Sequence, residues 1–217
     1  MAHPIITVAT LKGGSGKSTV ATCLGVHWHL RGQRVTLLDT DPQRSIVRLA
    51  AREKALGGIP VVEDATDAAW KTAQQLAQSG RVIVDTPGFR SEASTAALAV
   101  ANFVLVPVRA SPLDVDRMLD ALSMLVGGVR GWTPTFRCLL TQTTRGTVIA
   151  KHIRDEIARA GFPLVESDMP LRVSYPEAAL FGATPTMTDP MGPAARDIAA
   201  IADEIDNILS IKQARSA

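Results

Sequence analysis

Apolar and polar positions in this chain alternate between two periods. Residues 4–10 form a β-branched apolar run of strand type, and residues 18–31 follow with Val20, Cys23, Leu24 and His27 at helical spacing. Strand-type runs recur at 34–38, 82–84, 102–106 and 136–141. A helix is expected from about Thr147, and the last one carries Ile198, Ile201, Ile205 and Ile208 on one stripe. Strands alternating with helices predict an α/β fold, a doubly wound and mostly parallel sheet flanked by helices. No Ser/Gly/Pro-rich linker or internal repeat divides the chain, so residues 1–217 read as one domain, with 210–217 as a frayed tail.

Between the first strand and the first helix lies Lys12-Gly13-Gly14-Ser15-Gly16-Lys17-Ser18-Thr19. A strand, a glycine-rich turn and a helix occur in the order that a phosphate-binding loop needs. The glycines open backbone angles closed to other residues, so that successive amides and the helix N-terminus can point at an anion. Lys17 would then sit against the β- and γ-phosphates, and the Ser18 hydroxyl would reach a magnesium ion. Lys12 adds a second cation that folding alone does not explain.

Two further strands end in carboxylates. The run at 34–38 leads into Asp39-Thr40-Asp41-Pro42-Gln43, at the strand end where open α/β sheets bind ligands. Chemistry makes one of these carboxylates available for metal and one for water. The buried run at 82–84 delivers Asp85-Thr86-Pro87-Gly88, and the run at 102–106 ends in Pro107-Val108-Arg109-Ala110-Ser111-Pro112.

Together these residues resemble the deviant Walker A P-loop ATPases of the ParA/MinD family, whose pattern Lys-Gly-Gly-x-Gly-Lys-Ser/Thr is matched at every fixed position. The C-terminal third is similar to the small plasmid-type ParA partition ATPases, through Gly161-Phe162-Pro163, Asp168-Met169-Pro170-Leu171-Arg172, Pro176-Glu177-Ala178-Ala179 and Gly182. The resemblance implies that Gly13, Gly14, Ser15, Gly16, Lys17, Ser18 and Thr19 bind ATP. It implies that Lys12 reaches the nucleotide of a partner subunit across a homodimer, and that Asp41 orients the attacking water. Ser18, Asp39 and Asp85 would gather around Mg2+, and the Gly88 amide would meet the γ-phosphate. Gln142, with Thr143 and Thr144, either lines the adenine pocket or caps the helix near Thr147.

The function so implied is an ATP-dependent dimerising switch. It hydrolyses ATP slowly, binds DNA without sequence preference in the ATP state, and is stimulated by a ParB-like or adaptor protein while it segregates a plasmid, a chromosome or a protein cluster. Larger relatives carry a helix-turn-helix ahead of the P-loop, whereas here the first strand begins by Pro4, so operator-specific repression is not expected. Two alternatives are a MinD-like membrane-associated positioning ATPase and a nucleotide-gated scaffold with negligible hydrolysis.

Charge bears on the partner. The net formal charge is +2, and most of the 23 basic residues are arginine, which suits phosphate contacts. With three Trp, one Tyr and five Phe, base stacking is a poor mode of recognition, leaving backbone contacts with steep salt dependence. Lys151, Arg154, Arg172 and Arg196 are DNA-contact candidates by location. Asp197, Asp203, Glu204 and Asp206 would confront anionic headgroups, so the isoleucine stripe of the last helix is read as core packing.

Cys23 and Cys138 form no Cys-x-x-Cys pair and read as buried hydrophobes in a reducing compartment. That also argues against the nitrogenase iron protein, whose dimer shares an iron-sulfur cluster. His27 and His29 diverge around a helix, so a metal site there is not expected. Without a signal peptide or an apolar run of about 20 residues, no membrane insertion and a cytoplasmic location are expected, with nucleoid association in the ATP state.

Overall fold

The computed structural model describes residues 2–10, 14–87, 92–111 and 135–216. Among them are seven strands: β1 Ile5–Val8, β2 Val35–Asp39, β3 Val61–Glu63, β4 Arg81–Asp85, β5 Phe103–Arg109, β6 Thr135–Thr143 and β7 Met169–Pro170. They form one sheet in the order β3-β2-β4-β1-β5-β6-β7, and every pairing is parallel. The connecting helices are α1 Lys17–Leu30, α2 Ser45–Ala50, α3 Ala69–Leu76, α4 Glu92–Ala99 and α5 Val148–Arg159, followed by α6 Ser174–Leu180, α7 Pro185–Thr188 and α8 Pro193–Ser216.

The strand period of two separates the apolar side chains onto two faces. Ile6, Val8, Leu37, Ile83, Phe103, Leu105 and Leu139 pack with α1 and α8 on one face. On the other, Val104, Val106, Cys138 and Leu140 meet Ile153 and Ile157 of α5, while Ile5, Leu38, Val82 and Val84 meet Ala73 of α3 and Ala97 of α4. The sheet is therefore doubly wound, as the alternation predicts.

Three elements differ from their expected form. The run at 61–63 is a strand, β3, added at the sheet edge beside β2. β5 runs through Pro107 to Arg109 instead of ending at 106. Pairing with β1 stops at Leu105, whose carbonyl accepts from the Ala9 amide, so the missing N–H of Pro107 falls on a side where the ladder has ended. Thirdly, α8 stays helical to Ser216, through the segment expected to fray.

α1 is buried all around its middle, from Val20 to Trp28, because it lies between the sheet and α8. Ile198, Ile201 and Ile205 of α8 are buried, so the stripe is core packing. The acidic face of α8 is occupied as well. Asp206 accepts from Trp28 Nε1 at 3.0 Å and pairs with Arg81 at 2.7 Å, Asp203 lies 3.5 Å from Arg31, and Glu204 accepts the Glu166 and Ser167 amides. Among the described residues no helix is long and apolar enough to cross a membrane.

Candidate nucleotide site

The carboxyl ends of β1, β2, β4 and β6 converge on the turn that opens α1. Gly14 and Gly16 take left-handed φ of 83° and 86°, which a Cβ would strain although neither would meet another atom. Gly16 is the N-cap of α1, and no acidic residue lies in the first turn to compete with an anion for its amides. Thr19 belongs to that first turn and, with Gly16, faces the adjoining cleft. Lys17 and Ser15 are buried. Lys12, Gly13 and Gly88 lie outside the described residues.

Side chains far away in sequence hold the turn in place. Thr141 Oγ1 donates to the Ser15 carbonyl at 3.0 Å, and Gln142 Nε2 donates to the Gly14 carbonyl at 3.1 Å. Ser15 and Thr10 hydroxyls lie 3.1 Å apart. Thr86 Oγ1 donates to the Val8 carbonyl and Thr40 Oγ1 to the Asp85 carbonyl, tying β1, β2 and β4 together at the same end. Thr40, Thr86 and Thr141 escaped the sequence reading; their positions beside the motif carboxylates and Gln142 were the available signal.

Asp39 and Asp85 are register partners on β2 and β4, both fully buried. Asp39 accepts from the Asp41 amide at 3.2 Å, the Ile46 amide at 2.9 Å and the Val47 amide at 3.1 Å, and so fastens the turn that leads into α2. Burial raises its pKa against the pull of those amides, with Asp41 adding to the rise. Neither oxygen of Asp85 has a hydrogen-bond partner of good geometry among the described residues. Burial pushes Asp85 up to about 7, the nearby Ser18 hydroxyl and Lys17 ammonium oppose it, and Asp39 and Asp41 add to it. A buried, unpartnered carboxylate beside a lysine and a serine hydroxyl is suited to a hydrated divalent cation.

Asp41 is half-buried, and its side chain closes a tight turn by accepting from the Gln43 amide at 2.8 Å. Beside the loop opens a cleft of about 480 Å³ lined by Gly16, Thr19, Gln142, Arg172, Tyr175 and Pro176, among others. Gln142 has a left-handed φ of 54° and turns to the loop and the cleft; the N-cap of α5 is Thr147, whose hydroxyl accepts from the Ala150 amide. The Tyr175 hydroxyl is buried without a hydrogen-bond partner among the described residues.

The four arginine and lysine candidates for DNA have different surroundings. Lys151 is exposed. Arg196 is also exposed and donates to the Met191 carbonyl. Arg154 is tied to the Val165 carbonyl at 2.9 Å and to Asp168, and Arg172 donates to the buried Asp197 at 2.8 Å. Asp197 also pairs with Arg145. Burial drives the Cys23 and Cys138 thiols up to about 12, so both are neutral packing groups.

The protein ParA of Rhizobium radiobacter is 30% identical over 185 residues, covering 82% of this chain and 83% of its own length. Maintenance of carboxysome distribution protein A of Halothiobacillus neapolitanus is 29% identical over 211 residues, 94% of either chain. The septum site-determining protein MinD of Pyrococcus horikoshii OT3, solved with Mg-ADP, shares the fold with a TM-score of 0.72 at 17% identity, over 97% of this chain and 98% of its own. The profile of the CobQ/CobB/MinD/ParA nucleotide binding domain matches residues 6–185, around the glycine turn and both strand-end carboxylates, and the chain belongs to that family.

Proposed function

We propose that this chain is a single-domain ATPase switch of the ParA type, in which ATP drives homodimerisation and non-specific DNA binding and hydrolysis reverses both. The observation that carries the reading is Asp85: a buried carboxylate at a strand end without a hydrogen-bond partner of good geometry among the described residues, close to the Lys17 ammonium and the Ser18 hydroxyl, under a glycine turn held open by Gly14 and Gly16. Lys17, Ser15 and the loop amides would bind the phosphates, and Ser18 and Asp85 would hold Mg2+. That ion would neutralise charge on the β- and γ-phosphate oxygens. Asp39 acts by fixing the turn that carries Asp41, and Asp41 orients the attacking water. Lys12 would reach the nucleotide of the partner subunit across the dimer, and the Gly88 amide would meet the γ-phosphate.

Catalysis of this kind consists of placement and charge stabilisation, so a partner that tightens the site would accelerate it. A ParB-like or adaptor protein on the cargo is the expected partner, and ParA and the carboxysome protein among the relatives support a cargo-distributing role. The buried isoleucine stripe and occupied acidic face of α8 favour DNA over a membrane surface. The DNA-bound form would associate with the nucleoid.

The reading is tested by sedimentation with DNA and with anionic vesicles, each with ATP and with ADP, alongside light scattering. ATP-dependent dimers that carry DNA down in low salt are expected, with Lys12→Gln remaining a nucleotide-binding monomer. Vesicle binding without DNA binding would replace this reading with a membrane-associated one.

A further inference from the structure

Past α2 the chain makes a left-handed turn: Ala55, Leu56, Gly57 and Gly58 have φ of 43°, 51°, 70° and 80°. Ala55 and Leu56 are not residues that adopt this conformation freely, and Leu56 is completely buried. The turn is held against the C-terminal end of α6. The Lys54 amide donates to the Phe181 carbonyl and the Leu56 amide to the Gly182 carbonyl, each at 2.8 Å. Arg52 reaches across and donates through Nη1 to the Ala179 carbonyl at 2.5 Å, placing a cation on the negative end of α6.

The approach is close. A Cβ on Gly182, itself at φ 70°, would lie 2.7 Å from the Leu49 carbonyl oxygen and 2.7 Å from Arg52 Cβ. At its other end α6 contributes Tyr175 and Pro176 to the cleft beside the glycine turn, and Ala179 lines the same cleft. α2 in turn has its Ile46 and Val47 amides on Asp39, which also holds the Asp41 amide. An unbroken series of contacts thus runs from the cleft wall through α6, Arg52 and α2 to the turn of Asp41.

We propose that Arg52 is a positioning residue for hydrolysis: with Gly182 it clamps the cleft wall to the α2 segment, so that a nucleoside seated in the cleft sets the Asp41 turn. This rests on the nucleotide reading above, with the base and ribose taken to occupy the cleft that Gln142 lines. Binding energy from the non-reacting base and ribose is thereby used at the reacting phosphate, which predicts that a substrate lacking them loses turnover as well as affinity.

The test compares ATP with inorganic tripolyphosphate in the full chain. Native protein turns over ATP at least about tenfold faster than tripolyphosphate. Arg52→Ala lowers kcat for ATP about tenfold, with KM within about threefold of native and a much smaller effect on tripolyphosphate; Arg52→Lys restores most of the loss. A second readout is amide exchange. ADP protects the Ile46 and Val47 amides more than pyrophosphate does in native protein, and equally in Arg52→Ala. An ATP-to-tripolyphosphate ratio and an exchange pattern unchanged in Arg52→Ala overturn the clamp while leaving the ATPase reading intact. Native protein that hydrolyses neither compound overturns both.

Discussion

Asp39 and Asp85 stand opposite one another on adjacent parallel strands, and they are treated in opposite ways. The first is surrounded by three backbone amides of the following turn. The second meets none among the described residues. Two equivalent strand-end carboxylates thus divide into one that organises its own loop and one that no backbone amide of the described residues engages.

Asp85→Asn separates stability from binding. The folded-state pKa of Asp85 is about 7, above its ordinary 3.8, so its stabilising contribution is complete below pH 4 and is lost as pH rises to 7. In metal-free protein at pH 8 the variant should be more stable than native by up to an order of 4 kcal/mol, with no gain at pH 4. Thermal melts in chelator at both pH values check this. Mg2+-dependent nucleotide binding should be lost in the same variant.

Asp39→Ala should behave in the contrary way. It removes the acceptor of three amides, one of them in a buried residue, at a cost of about 2–4 kcal/mol in urea denaturation. Asp39→Asn keeps one acceptor oxygen and should recover about half of that. If the two variants are equally stable, the amides have found other partners.

The parts of the fold and site that can be read from the sequence are those that act locally. The glycine turn, the strand-end carboxylates and the two-faced strands follow from spacing, because each depends on residues within a few positions of one another. What escaped depends on contacts made across the fold. Nothing near Ser15 announces that Thr141 will hold its carbonyl, 126 residues away. Pro107 reads as a strand terminator until β1 is seen to end beside it. The acidic residues of α8 read only as a face unsuited to anionic headgroups, and nothing local announces that Trp28, Arg81 and the loop at Glu166 engage Asp206 and Glu204.

His27 sets an acid limit at the α1–α8 contact. It is buried, and neither ring nitrogen has a hydrogen-bond partner among the described residues. Burial and Arg31 lower its pKa below 6.5, while Asp203 and Asp206 pull the other way. The neutral ring is therefore favoured in the fold, and its contribution is present above pH 6.5 and lost as pH falls below it. Asp85 changes stability in the opposite sense over much of this range, so the informative quantity is the difference between His27→Leu and native. That difference should shift in favour of the variant between pH 7.5 and pH 5.5, in melts followed by circular dichroism.

One polar anchor of α8 is the group formed by Trp28, Arg81 and Asp206. The Arg81 guanidinium lies 4.1 Å from the centre of the Trp28 ring and 2.7 Å from Asp206, while the indole N–H donates to the other oxygen of the same carboxylate. The ring is buried and Arg81 only 13% exposed, so water screens the contact weakly. Arg81→Met should cost about 2 kcal/mol, below the range for a fully buried pair because Asp206 remains partly exposed. Asp206→Ala should cost more, since it leaves both the guanidinium and the indole N–H unsatisfied. Because the three groups act together, a double-mutant cycle between Arg81→Met and Trp28→Phe should give a coupling of about 0.5–1 kcal/mol. Additive losses in urea denaturation would mean that the arginine acts through Asp206 alone, and the stacked geometry would then contribute nothing measurable to holding α8 on the sheet.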